Sequence, residues 1–413
     1  LKQQLAASHV APAAMPPPVF DPRRRPVFVV GNEAADADSL VSAYAAAALL
    51  ESDEVQAVAL AQIPRAEFRL RRDAVMLLAE AGVEVAADGS PAHMCFWDEV
   101  DWGQVDRLER RALVLTDHNV MSPQVAEHFE GRVEWVLDHH ASSGMYAGAK
   151  IDIDEALGSA CTLVAEQFQA RPPGVPREIG VLLAGVIVLD CRNFDPKDGR
   201  GTARDRAALK QLEPFIPASG AASWFKALMT ARKDVSHFSL RELFALDVKV
   251  ATAGDGSTAA FCSVFVPLPD MCTRVGGPAA LLSEVGSLAE ARGYDVVVGM
   301  FAKDGDKRKG LTLTPSPGSG ERGAALCGRI CQNLAGAPGS LAPELRENEL
   351  FSNQNILKKG FELVPQDQLQ PLRAFTFRGA CTRKTMLPCA MMPRPDPGGC
   401  GADSQAEAKR QSV

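Results

Sequence analysis

The sequence predicts an α/β protein: an N-terminal doubly wound, mostly parallel sheet, followed by a smaller α+β accessory domain. Three observations carry this. Short apolar, β-branched runs recur through the first half with helical segments between most of them, the alternation that builds a parallel sheet covered on both faces. Four of these runs stop at an aspartate: Asp36 with Asp38, then Asp117, Asp138 and Asp190. Beyond Pro214, Pro217 and Gly220 the pattern changes, with strands expected at 247–252, 259–266, 295–302 and 310–314 and a helix near 278–292.

Taken in order, residues 27–31 (VFVVG) read as a buried parallel strand. Asn32 to Ser39 follow as a loop, and 40–50 as an alanine-rich helix with Ser39 or Asp38 as N-cap. Asp36 and Asp38 then sit in a strand-to-helix loop, where side chains two apart point the same way. Capping alone would use one acid and leave the other, and Asn32, without a role. A second strand is expected at 55–63 and a helix over 67–81, whose Arg71-Arg72-Asp73 reads as a solvated face. Residues 94–101 (MCFWDEVD) give a short strand ending in acids. Residues 112–116 (ALVLT) form a strand that ends in Asp117-His118-Asn119, and Pro123 opens a short helix. The stretch 133–144 (VEWVLDHHASSG) is a buried strand that delivers Asp138, His139 and His140 together, which packing does not explain. A helix is expected over 158–169. The apolar run 179–189 ends at Asp190, and a further helix is expected over 207–212. If each apolar run is a parallel strand, their ends share one sheet edge, and the acids and histidines converge there.

The length of 413 residues fits two or three domains. The boundaries read as a disordered leader over 1–26, a first domain over 27–215, a linker over 216–223, an accessory domain over 224–393 and a disordered tail over 394–413. A net charge of −7 supplies no basic field for nucleic acid, so no nucleic-acid partner is expected. No apolar run reaches the roughly 18 residues of a membrane span. Ten cysteines without paired CxxC spacing read as buried thiols of a reducing, cytoplasmic setting. Cys327 and Cys331 are four apart but have no second pair to complete a zinc site. The Ala-, Pro- and Gln-rich leader is also compatible with a targeting remnant.

Carboxylates joined by an imidazole suit Mg²⁺ or Mn²⁺ better than zinc. Acids crowded on one edge repel without cations, and two divalent ions would neutralise them. Such a pair clamps the oxygens of an in-line phosphoryl displacement and activates a water. There is no GxSxG elbow and no glycine-rich phosphate loop. The residues therefore point to metal-dependent hydrolysis of a phosphate ester or anhydride.

The motifs carry a resemblance to the DHH phosphoesterase superfamily, in its branch of exopolyphosphatases, prune-like proteins and family II inorganic pyrophosphatases. GNEAADADS at 31–39, TDHN at 116–119, DHH at 138–140 and LDCRNFD at 189–195 resemble its four ordered motifs. GRGTARD at 199–205 resembles a segment that follows the fourth, and CTRKTMLP at 381–388 the basic motif of the accessory domain. The resemblance implies two divalent cations, Mn²⁺ or Mg²⁺, held by Asp36, Asp38, Asp117, His139 and Asp190, with Asp117 bridging both and Asn32 a possible further ligand. It implies that His140 faces the substrate phosphate and assists the leaving group. It also implies that Arg383 and Lys384 bind the phosphate chain across an interdomain cleft. Family II pyrophosphatases carry histidine where this chain has Asn32, whereas the exopolyphosphatase branch carries asparagine. Prune-like proteins of animals often lack the last histidine of the third motif, which is present here as His140.

The leading expectation is an exopolyphosphatase that releases terminal orthophosphate from inorganic polyphosphate. An inorganic pyrophosphatase, a nucleotide phosphodiesterase and a prune-like interaction protein with a vestigial site are the alternatives.

Overall fold

The computed structural model describes residues 18–335 apart from 87–88, 172–173 and 304–308, together with 346–347, 373–377 and 390–391. Its contacts divide the chain into two units, Leu1–Asp234 and Val235–Val413. The first unit runs β1 (Arg25–Val30), α1 (Ala37–Leu50), β2 (Val55–Ala61), α2 (Arg65–Phe68), α3 (Arg72–Ala81), β3 (Met94–Phe96), α4 (Trp102–Asp106) and β4 (Ala112–Thr116). It continues with α5 (Pro123–Phe129), β5 (Val133–Asp138), β6 (Lys150–Ile153), α6 (Ala160–Gln169), α7 (Arg177–Asp190), α8 (Ala203–Gln211) and α9 (Ala221–Lys233).

Six strands form one sheet in the order β3-β2-β1-β4-β5-β6, and every neighbouring pair is parallel. Alternate residues of the central strands enter different cores, as the two-residue strand period requires. Val27, Val29, Val114 and Leu137 face a large core shared with α1, α3, α6 and α7. Phe28, Val30, Leu113, Leu115 and Val136 face a second core closed by Val105, Val125 and Phe129 of α4 and α5. With both faces covered, the strands read as continuous apolar runs rather than alternating ones. The predicted doubly wound sheet is what forms.

Several expectations give way to packing. Residues 179–189 are no strand; they are the middle of α7, buried from Ile179 through Leu189. This helix is surrounded by α1, α3, α6 and α9. A helix apolar on all sides cannot be told from a buried strand by periodicity. Asp190 therefore arrives on the last turn of a helix. Asp38 likewise lies in the first turn of α1 rather than in a loop, and the N-cap is Asp36, whose Oδ1 accepts from Ser39 N at 3.1 Å. Arg71-Arg72-Asp73 is not a solvated face, because Arg71 and Asp73 are buried. The edge strand β6 was not anticipated. Helix α9 buries Trp224 and Leu228 against α3 and α7, and its contacts group it with the first unit.

The second unit comprises α10 (Leu240–Ala245), β7 (Val248–Thr252), β8 (Thr258–Pro267), α11 (Leu268–Val275), α12 (Pro278–Ala291), β9 (Val296–Lys303), β10 (Lys309–Pro315), α13 (Gly320–Ala335), β11 (Arg346–Glu347) and β12 (Arg373–Phe377). Its sheet has the order β11-β12-β10-β9-β8-β7. Only β8 and β9 run parallel, so this is the expected α+β arrangement. Cys327 and Cys331 are buried on α13 without forming a disulfide. Arg383 and Lys384 lie outside the described residues. Among the described residues, no helix is long and apolar enough to cross a membrane.

The close approach of α7 to α3 and α9 depends on Gly185. A Cβ there would come within 2.2 Å of Leu77 Cδ2 and 3.0 Å of the Trp224 ring. Gly185→Val is expected to destabilise the first unit by about 1–3 kcal/mol through overpacking, seen as a lower urea midpoint with an unchanged slope.

Candidate metal centre

The strand order reverses direction between β1 and β4: the chain moves outward through β2 and β3 on one side and through β5 and β6 on the other. In open parallel sheets the crevice beyond the strand ends at such a switch point is where ligands bind. Here the two central strands end in the loop holding Asn32 and Asp36 and in Asp117, and β5 beside them ends in Asp138. Three loops therefore meet because of topology, not because of proximity in sequence.

Asp117 is the centre of the cluster. It is buried and takes the left-handed conformation, φ 60°. A non-glycine residue is seldom held there. Asn32 Nδ2 donates to Asp117 Oδ2 at 2.7 Å, and Ser39 Oγ donates to the same oxygen at 2.5 Å. The other oxygen, Oδ1, lies 3.2 Å from His139 Nε2. His139 donates its Nδ1–H to the Leu157 carbonyl at 3.0 Å, which turns Nε2 toward the carboxylates of Asp117 and Asp38, the latter 3.6 Å away. Among the described residues, single donor atoms of Asp117, His139 and His140 lie within 4.8 Å of one another.

Asp38 is held by the start of α6. Its Oδ1 accepts from Ser159 Oγ at 2.8 Å and Cys161 N at 3.1 Å, and its Oδ2 from Ala160 N at 2.8 Å. A helix N-terminus, with its unpaired amides and positive dipole end, is suited to hold a carboxylate. That terminus is in turn fixed by buried Asp205, which accepts from Gly158 N, Thr162 Oγ1 and Thr202 Oγ1. Asp138 orients both histidines. Its Oδ1 accepts from the backbone N–H of His139 at 2.7 Å and from His140 Nδ1 at 2.8 Å, while its Oδ2 accepts from Asn119 Nδ2 at 2.5 Å.

Burial and the charge of Asp38 push the Asp117 carboxyl up to about 6, against the His139 hydrogen bond. Burial also raises Asp190, to about 7; the Arg232 charge opposes this, and Asp38, Asp36 and Asp117 add to it. Burial lowers His139, but the Asp117 hydrogen bond and the Asp38 and Asp117 charges outweigh it and lift the imidazole to about 10. Burial is the first cause at Asp117 and Asp190, and at all three groups the neighbouring carboxylates push the same way, upward. Oxygen donors with one inward Nε2 and a surplus of negative charge fit a hard divalent cation. Exposed Asp36 and the Asp190 carboxylate lie outside the 4.8 Å group but contribute to its field.

Two family models match the chain: the DHH family N-terminal domain over residues 26–189 and the DHHA2 domain over 226–388. The chain belongs to the DHH family. "Exopolyphosphatase PRUNE1" of Rattus norvegicus is 32% identical over 283 residues, covering 67% of this chain and 60% of that protein. The chain thus spans about three-fifths of the length of that relative. A manganese-dependent inorganic pyrophosphatase of Bacillus subtilis is 25% identical over 178 residues, covering 43% of this chain and 57% of that protein. These matches place the chain in the branch of exopolyphosphatases and prune-like proteins. A crystal structure of a Methanococcus jannaschii protein assigned to the family II inorganic pyrophosphatases superposes with a TM-score of 0.55 at 14% identity, covering 88% of this chain and 98% of that one. At that identity the likeness concerns the fold.

The structure brings the DHH motif residues Asp38, Asp117, His139 and His140 together. It also gives Asn32 a particular posture: its amide nitrogen donates to Asp117, while its Oδ1 accepts from Ala34 N at 2.9 Å. Here Asn32 orients a carboxylate. Sequence reasoning missed the residues that hold this cluster. Buried Arg71 donates to the carbonyls of Ala34 and Ala35 and so clamps the first motif. Arg232 ties Asp190 to Asp73. Asn119, seen only as part of TDHN, bridges Asp138 to Ala141 O and accepts from Ser143 N. Its place inside a motif was the one available signal; Arg71 and Arg232 stood in ordinary charge runs.

Asn119→Ala leaves a buried carboxylate oxygen of Asp138 without its donor, at a cost of about 1–3 kcal/mol in chemical denaturation. Asn119→Asp, though nearly isosteric, is expected to be worse than alanine, because it sets a second anion against Asp138.

Proposed function

We propose that this chain is a metal-dependent phosphoanhydride hydrolase, and most specifically an exopolyphosphatase that releases terminal orthophosphate from inorganic polyphosphate. The observation that carries the reading is the buried carboxylate surplus around Asp117, with His139 Nε2 turned into it at the sheet's switch point. The rat exopolyphosphatase and the manganese-dependent pyrophosphatase, as relatives, support divalent-metal use and phosphoanhydride chemistry.

In this reading Asp36, Asp38, Asp117, His139 and Asp190 would hold two divalent cations, Mn²⁺ or Mg²⁺, with Asp117 central to both. When bound, such ions would neutralise phosphate charge and lower the pKa of a coordinated water. The chain's own residues do the rest. Asn32 and Ser39 fix one Asp117 oxygen, so the other is presented in one direction. Leu157 O fixes the tautomer of His139, an outer contact of the kind that sets ligand basicity. His140, held through Nδ1 by Asp138, would face the leaving phosphate and assist its departure. Arg383 and Lys384 are proposed to grip the phosphate chain, a task suited to a bidentate guanidinium and a mobile ammonium.

Pyrophosphate hydrolysis is the second reading, favoured by the bacterial relative. Phosphate release from long-chain polyphosphate, tripolyphosphate and pyrophosphate, each with Mg²⁺ and Mn²⁺, separates the two. Faster release from polyphosphate is expected; rapid cleavage of pyrophosphate alone would reject the exopolyphosphatase assignment. Asp117→Asn is expected to lower turnover at least about 100-fold. Chelator-treated protein should regain thermal stability on Mn²⁺ addition, because a ligand bound only by the native state must stabilise it. No gain in melting temperature would favour a vestigial, prune-like site.

A further inference from the structure

The Asp190 side of the site carries two arginines whose hydrogen bonding is incomplete. Past the end of α7 the chain takes φ values of 53°, 49° and 56° at Arg192, Asn193 and Phe194. Three successive non-glycine residues in the left-handed region are costly and persist only where packing enforces them. Packing does so here. Phe194 is buried, with the Arg206 guanidinium 4.3 Å over its ring, and Arg206 donates to Phe194 O at 3.2 Å. Gly201, at φ 83°, lies against that ring so closely that a Cβ would come within 2.7 Å of it.

This turn delivers the guanidinium of Arg192, which is half-buried. Its Nη1 lies 3.3 Å from Met229 Sδ, and a thioether is a weak acceptor. Among the described residues, its other N–H groups meet no protein acceptor. Met229 and Arg232 are three apart on α9 and share a face, so Arg192 is laid alongside Arg232. Arg232 donates through Nε to Asp73 at 2.5 Å and through Nη1 to Asp190 at 3.3 Å, while its buried Nη2 has no partner among the described residues. Burial and the charges of Arg232 and Arg200 push Arg192 below its ordinary value, with Asp190 and Asp198 opposing. An amphipathic arginine covering Met229 would account for the stem alone. It would not account for the enforced turn, the crowding of cations or the orphaned Nη2.

We propose that Arg192 and Arg232 form a fork for a substrate phosphate beside Asp190: Arg192 is the contact residue, and Arg232 holds Asp73 through Nε and Asp190 through Nη1 and offers Nη2. Guanidinium pairs recognise tetrahedral oxyanions through several directed N–H groups at once. The fork rests on the phosphoanhydride reading, and it adds a substrate contact from within the DHH domain itself.

The test is calorimetric binding of imidodiphosphate, a non-hydrolysable phosphoanhydride mimic, with Mg²⁺ present, to the full chain and to Arg192→Gln and Arg192→Lys. Mn²⁺ titration, melting temperature and steady-state kinetics on tripolyphosphate run beside it. Arg192→Gln is expected to weaken imidodiphosphate by about tenfold or more and to raise KM similarly. Mn²⁺ affinity and kcat should stay within about threefold, and lysine should recover part of the loss. Wild-type imidodiphosphate affinity in Arg192→Gln overturns the fork, as does a wild-type protein that binds none. If glutamine prevents folding, the lysine variant decides: partial loss supports the fork, and full affinity overturns it. Arg192-dependent binding by a protein that hydrolyses no polyphosphate keeps the fork and rejects the hydrolase reading. Turnover with an unchanged KM in Arg192→Gln does the reverse.

Discussion

A carboxylate that cannot be solvated by water governs this structure. Asp117 sits at the end of a central strand, buried, with Asp38 and His139 closing on it. An ionised carboxylate in such a place needs fixed donors or a cation. Asn32 and Ser39 satisfy one oxygen, and the imidazolium of His139 answers the other. The negative charge of Asp36 and Asp190 adds to that of Asp117 and Asp38, and Arg232 offsets part of it at Asp190. The surplus is tolerable only because the surrounding frame holds its members apart and in place, and a divalent ion resolves it.

The frame is built from groups that never reach the cluster themselves. The N-terminus of α6 seats Asp38, and Asp205 seats that terminus. Asp138 threads the two histidines, and Asn119 steadies Asp138. Arg71, the residue just before α3, grips the backbone of the first motif. Each layer uses a buried, fully engaged polar group, the arrangement in which local low dielectric strengthens a network instead of penalising it. Rigid positioning of this kind is what binding of a divalent ion needs, because displaced ligands cost affinity at once.

Much of the first unit was legible from the chain. β1, β2, β4 and β5 appear as short apolar runs because both sheet faces are covered, and Pro123 marked a helix start through its ring geometry. α7 misled because an entirely buried helix has no polar face to reveal its period. β6 escaped because an edge strand, partly exposed, carries a mixed sequence. Arg71 and Asp73 looked like a surface run, since burial of charge follows from distant partners. For Asp73 that partner is Arg232, which lies 159 residues away.

What the residues alone determined is the chemistry on offer. Asp36, Asp38, Asp117, Asp138, His139, His140 and Asp190 are hard oxygen donors with imidazole, set after apolar runs, and they speak of divalent cations and phosphate before any fold is known. Tertiary structure decided which of them share a space and which hold the others. Strand order brought the ends of β1, β4 and β5 to one edge, the helix N-terminus of α6 took Asp38, and Asp138 turned inward as an orienting group. The physical reason is range. Side-chain type and local periodicity are properties of a few neighbouring residues, whereas a buried charge is placed by partners that the chain brings back from far along its length.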